Sequence, residues 1–236
     1  VSGAALLQGA ATSSPLGTFS YFWDNHGEVL SWLWSHAWLS ALPVIIGLIV
    51  ALPLGWLAQR YHWIYPPMIS ITGLLYTIPS IALFVVMPGL LGTEILSPVN
   101  VVVALAVYTV ALLVRVVADG LSSIPDSVAQ AATAMGYTPF QRLLKVELPI
   151  AVPVIAAGLR VATVANVSAV AVAATIGVPE LGQLFTNGFQ LSVGGPYYPP
   201  IVLGIVGCVV LALAFDLVIV LANRAVTPWR RAAATR

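Results

Sequence analysis

Residues 201–222 read IVLGIVGCVVLALAFDLVIVLA, with Asp216 the one charged side chain among them. A helix needs about 20 apolar residues to cross the roughly 30 Å hydrocarbon core of a bilayer, so this run predicts a membrane span. Moving outward from it, four more stretches meet that length. The expected spans cover residues 38–59, 66–91, 98–119, 151–176 and 200–223. Gly and Pro inside them are compatible with a membrane, where neighbouring helices re-satisfy the backbone. The composition agrees: 60% of the 236 residues are hydrophobic and 7% are charged, whereas a soluble domain carries about 25% charge. The expected fold is therefore an all-α integral membrane domain of about five transmembrane helices.

Several function classes drop out. The net charge of +1 says nothing about nucleic acid, no basic run is longer than Arg230-Arg231, and no nucleic-acid partner is expected. Cys208 is the single cysteine, so one chain builds no disulfide framework or thiolate metal cluster. His26, His36 and His62 are read as scattered over the interface and loops, without metal-ligand spacing. No Ser–His–acid set or phosphate-binding Gly loop is present, so no enzyme is expected and no metal site. The opening VSGAALLQGAATSSPLG reads as a small-residue tail lacking the basic start of a signal peptide. Residues 1–35 are expected outside, with the aromatic Tyr21–Trp34 stretch at the membrane interface. One membrane domain fills the rest, so an energy source and a receptor are expected on other chains.

Lys and Arg orient the chain. If the first span runs inward, Arg60, Arg142, Lys145, Arg224, Arg230, Arg231 and Arg236 are cytoplasmic, and Arg115 and Arg160 lie towards the inner side. The outer segments then carry Asp24, Glu28, Glu94 and Glu180 and no basic residue. The expectation is a multi-pass membrane protein, N-terminus outside, with residues 225–236 as a basic cytoplasmic tail. Residues 177–198, rich in Gly, Pro, Asn and Gln, read as an outer loop rather than a sixth span.

The cytoplasmic loop 120–148 reads GLSSIPDSVAQAATAMGYTPFQRLLKVEL. Pro125-Asp126 suits the first turn of a helix, where Pro loses no hydrogen bond and a carboxylate meets the positive dipole end. Gly136 suits the left-handed residue that ends it. Thr138-Pro139-Phe140-Gln141 has the form of a capping box, opening a second helix towards Leu148-Pro149. A helix–Gly turn–helix hairpin with Met135, Tyr137 and Phe140 near its bend presents hydrophobes outside the membrane, as docking surfaces do.

QAATAMGYTPFQRLLKVELP closely resembles the EAA loop of bacterial ABC-importer permeases of the binding-protein-dependent type. Ala131, Ala132, Gly136, Phe140, Leu148 and Pro149 match its pattern, and Gln130 stands where the family usually has Glu. The likeness spans about residues 38–224. Tyr76-Thr77-Ile78-Pro79-Ser80-Ile81-Ala82-Leu83 resembles the TIPS-type segment of osmoprotectant permeases, and IGVPELGQL is similar to their segment after the fourth helix, with Pro179 and Glu180 departing from it. The resemblance implies a type I importer fold in which Gln130, Ala131, Ala132, Gly136, Tyr137, Phe140, Arg142, Leu148 and Pro149 form an ATPase-coupling loop. It implies a second permease subunit, two cytoplasmic ATPase subunits that bind ATP and Mg, and an external substrate-binding protein, with no cofactor on this chain. The implied cargo is a compatible solute such as glycine betaine, choline, carnitine or proline betaine. A methionine or other amino-acid permease is the alternative within the class, and a self-sufficient secondary transporter the alternative outside it.

Candidate pathway residues are Thr77, Pro79 and Ser80 around a proline in the second span, and Asn166 and Ser168 in the fourth. Packing explains the same polar groups. Tyr76, Phe84 and Tyr108 are aromatic faces available to a quaternary ammonium. Arg160 and Asp216 are lone charges within spans, where an unpaired charge is expensive. They are expected to find partners, each in the other; alternatively Arg160 snorkels and Asp216 pairs with Arg224 or Arg115.

Overall fold

A computed structural model describes residues 15–190 and 197–228. The expected N-terminal tail, part of the outer loop and Arg230, Arg231 and Arg236 of the basic tail lie outside the described residues. The described residues form helices α1 (Pro15–Asp24), α2 (His26–Arg60), α3 (Tyr65–Thr77), α4 (Ser80–Leu91), α5 (Pro98–Ser122), α6 (Asp126–Ala134), α7 (Pro139–Arg142), α8 (Leu148–Val170), α9 (Gly182–Gln190) and α10 (Tyr198–Val226). A π turn, Leu143–Glu147, joins α7 to α8, and a 3₁₀ segment, Ala171–Ile176, extends α8. Among the described residues, four helical stretches are long and apolar enough to cross a membrane, or five when α3 and α4 count as one bent span.

Three expectations change. The helix that carries the first expected span starts at His26 rather than near residue 38, which takes much of the expected interfacial segment into α2. Glu28 in its first turn favours that start electrostatically. The second span is not one helix: the backbone breaks at Ile78-Pro79 with a bend of 100°. Pro79 has no N–H for a helical bond, so Ile78 N–H closes onto the Leu75 carbonyl instead. The loop's second helix does not stop at Leu148-Pro149 but runs on into α8. Leu148 N–H bonds the Leu143 carbonyl five residues back, and this wider turn absorbs the missing donor of Pro149.

Contacts divide the chain into two compact units, threaded by the long helices. The first comprises residues 1–42, 80–104 and 165–213. Val29, Leu181 and Leu184 form its core with Tyr21, Phe22, Trp32, Leu33 and Leu203 against them. Asn100 secures the α4–α5 connection by donating to the Glu94 carbonyl (2.8 Å).

The second unit comprises residues 43–79, 105–164 and 214–236. Leu113, Val114, Val117, Leu121, Ala151 and Ile155 are buried in its core clusters. Helices approach closely through glycine, as they do in membranes: a Cβ at Gly55 would lie 2.6 Å from the Val117 side chain, and one at Gly158 would overlap Val116.

Candidate functional site

The hairpin of the second unit is built from its caps. Pro125 is the residue before α6 rather than its first member, so Asp126 opens the helix. Gly136, at φ +84°, closes α6. Its N–H bonds the Thr133 carbonyl (2.9 Å) while Tyr137 N–H bonds the Ala132 carbonyl (3.2 Å), the paired bonds of a Schellman stop. Thr138 Oγ1 then accepts Gln141 N–H, and Gln141 Oε1 accepts Thr138 N–H (3.0 Å), so both halves of the capping box are made. Two orphan donors are satisfied over four residues, which starts α7 immediately after the turn.

Arg142 braces the hairpin from within. Its Nε lies 2.6 Å from Glu147 Oε1, and its Nη1 donates to Thr133 Oγ1 (3.2 Å). Glu147 is buried, so this ion pair fixes the π turn to the end of α6. Lys145 sits 6.0 Å over the Tyr137 ring, at the range of a cation–π contact. Of the candidate coupling residues, Ala132 is buried, while Gln130, Gly136, Tyr137 and Phe140 are accessible. Met135 and Phe140 are the exposed hydrophobes of the bend. A cavity of about 650 Å³ lies beneath the hairpin, lined by Gln59, His62, Asp126, Gln130, Arg142 and Glu147 among others.

The pathway candidates separate. Thr77 and Pro79 are exposed at the helix break and Ser80 is half-buried. The Ile78 carbonyl at the break accepts a hydrogen bond from the Tyr108 hydroxyl, and Tyr108 meets Tyr76 edge to face with ring centroids 5.7 Å apart. Phe84 is fully buried, so its face is closed to a ligand. Asn166 is buried and Ser168 exposed.

Arg160 and Asp216 are brought together across α8 and α10. Arg160 Nε donates to Asp216 Oδ1 (2.5 Å) and Nη2 to Oδ2 (2.9 Å), a bidentate pair. Arg115 meets Asp119 one turn on at 3.5 Å.

A second pair, in the first unit, lay outside the sequence reading. His36 is fully buried in α2, not in an interface or loop. Its Nδ1 lies 2.7 Å from Glu180 Oε2 and its Nε2 2.9 Å from the Val167 carbonyl oxygen. Both ring nitrogens thus face oxygen atoms within hydrogen-bond distance. Glu180 Oε2 also accepts Gly182 N–H (2.7 Å). A Cβ at Gly182 would collide with the Ala171 carbonyl and with Glu180 Oε1, so Gly alone fits the entry to α9. That helix is the departure from the expected outer loop: residues 182–190 are ordered against the core rather than irregular. Hydrophobic spacing in Gly177–Leu184 was the available signal, and 144 residues separate the ion-pair partners.

Long apolar helices with a capped hairpin between two of them define a multi-pass membrane protein. The chain belongs to the family described as "Binding-protein-dependent transport system inner membrane component", which it matches over residues 44–229. It is 39% identical over 178 residues to the osmoprotectant import permease protein OsmW of Salmonella typhimurium, covering 74% of this chain and 82% of that one. It is 32% identical to the glycine betaine/carnitine/choline transport system permease protein OpuCD of Bacillus subtilis, covering 92% and 91%. The choline transport system permease protein OpuBB of the same organism is also 32% identical, covering 86% and 91%. Among solved structures, an inward-facing MetNI methionine ABC transporter superposes with a TM-score of 0.71 at 25% identity, covering 84% of this chain and 96% of that one. An amino acid ABC transporter structure gives a TM-score of 0.70 at 20% identity, covering 88% and 98%, and shares the fold. The fold is thus that of ABC-importer permeases.

Proposed function

We propose that this chain is the permease subunit of an ATP-driven importer for a quaternary ammonium compatible solute such as glycine betaine, choline, carnitine or proline betaine. The observation that carries the reading is the likeness to permeases named for these solutes across most of the chain. In this reading two permease subunits enclose a pathway, and an external binding protein delivers the solute. Two cytoplasmic ATPases, which bind the ATP and Mg, dock on the hairpin around Gly136. Its internal bracing by Arg142 and Glu147 suits a part that passes on rigid-body motion. The distribution of basic residues supports an orientation with the hairpin inside and the N-terminus outside.

The methionine reading has one observation in its favour, the likeness to MetNI. Uptake measured in cells expressing the chain with its partner subunits separates the two. Competition by excess glycine betaine or choline, and none by methionine, supports the osmoprotectant reading; competition by methionine alone overturns it. Co-purification of an ATPase with the chain is the expected companion result, and its absence would favour a self-sufficient carrier.

A further inference from the structure

Two charges stand alone along long apolar stretches. Arg160 is the only charged residue between Glu147 and Glu180, and Asp216 the only one between Glu180 and Arg224. At 1.5 Å per residue, about 18 Å of helix separates Leu148 from Arg160, and about 12 Å separates Asp216 from Arg224. Both therefore lie well inside the roughly 30 Å hydrocarbon layer. The two side chains meet in bidentate geometry, yet they are not enclosed: Arg160 is 46% and Asp216 28% exposed. Beside them on α8 and α10, Val161, Val164 and Leu217 are exposed apolar side chains. A pair that served only to join α8 to α10 would be closed between them. A charge at this depth faces the protein interior or water, not lipid.

We propose that the Arg160–Asp216 pair faces the aqueous translocation pathway and is a contact site for the charged solute in transit. This rests on the importer reading above and assigns it a specificity element. A bidentate guanidinium–carboxylate pair complements a zwitterion group for group. The carboxylate of glycine betaine or carnitine takes one of the two Arg160 donors, while Asp216 faces the quaternary ammonium. Choline, a cation without a carboxylate, engages Asp216 alone. Because each charge neutralises the other when no solute is present, the site is electrically silent between transport events and binds weakly, as a transit site must.

The test uses the full chain expressed with its partner subunits, with labelled glycine betaine and choline as probes. Arg160→Gln is expected to lower glycine betaine uptake by about tenfold or more, the effect of losing a charged hydrogen bond, and to lower choline uptake far less. Asp216→Asn is expected to lower both. Equal losses for the two solutes with Arg160→Gln, or none, overturn the proposal. The double variant Arg160→Met with Asp216→Leu separates structure from transit, because apolar pairs commonly replace ion pairs without loss of stability. Assembly with the ATPase and lost uptake support the proposal; assembly with normal uptake overturns it. Accessibility gives a readout that no charge change disturbs. With Cys208, the single cysteine, changed to alanine, Val161→Cys and Val164→Cys are treated with a membrane-impermeant thiol reagent. Labelling at both, reduced by glycine betaine or choline, supports the proposal. Refusal at both while Ser123→Cys reacts shows a face covered by lipid or by a second subunit, and overturns it. If the unmodified importer carries neither solute, the importer reading of the cargo fails, while the labelling result still decides whether this face is wet.

Discussion

Two acid–base pairs, each joining distant segments within one helical unit, are opposites. His36 and Glu180, in the first unit, are completely enclosed, and Glu180 Oε2 also accepts a backbone N–H. Arg160 and Asp216, in the second, meet on an open face. The first pair has every feature of a structural fastening: it ties α2 to the segment between the 3₁₀ turn and α9, and no ligand reaches it. The second is too exposed for that role and too deep for lipid. Burial, rather than the presence of charge, is what distinguishes a fastening from a working contact.

The comparison breaks most easily at the enclosed pair. Glu180→Leu leaves the buried His36 ring without its acid partner, and removal of one member of a buried pair costs about 3–5 kcal/mol. A large fall in the thermal midpoint of the detergent-solubilised protein is expected. Adding His36→Leu should restore much of it, since an apolar pair of similar size is then packed together. At Arg160 and Asp216, by contrast, the apolar double variant should keep stability and lose transport.

Next in size is Gly182→Ala. The added methyl meets a backbone carbonyl and the Glu180 carboxylate, and overpacking of this kind costs about 1–3 kcal/mol. The same melting assay reads it. At the hairpin, Thr138→Ala removes the acceptor of the capping box and is expected to cost about 1 kcal/mol of local stability, seen as faster amide exchange over residues 138–142. Gly136→Pro, which loses the N–H bonded to Thr133, should uncouple ATP hydrolysis from uptake while the complex still reaches the membrane. The smallest effect belongs to Arg115→Ala. Its contact with Asp119 is well exposed at 3.5 Å, and exposed pairs contribute about 0–1 kcal/mol, so stability should barely move.

Much of this architecture was legible in residue order because membrane physics is local. A span is written in the length of its apolar run, and a cap in residues three or four apart. Thr138 and Gln141 announce their reciprocal bonds, and Gly136 its positive φ. The partnership of Arg160 with Asp216 was readable for a different reason: each is the one charge inside the apolar run of its span, and a lone charge in a span needs an opposite one.

Other features depended on residues that the chain brings together from far away. His36 reads as one more interfacial polar residue until Glu180, in what looked like an irregular outer loop, is packed against it. The break at Ile78-Pro79 reads as a kink, because kink and full break both begin with the same missing N–H. In the folded chain the Tyr108 hydroxyl, 30 residues away, satisfies the carbonyl at the break. The sequence by itself determined the medium, the approximate places of the spans and the capped hairpin, since hydrophobic length and backbone capping act within a few residues. Tertiary structure alone decided which charges are sealed and which stay open, because burial is a property of the neighbours that fold around a side chain.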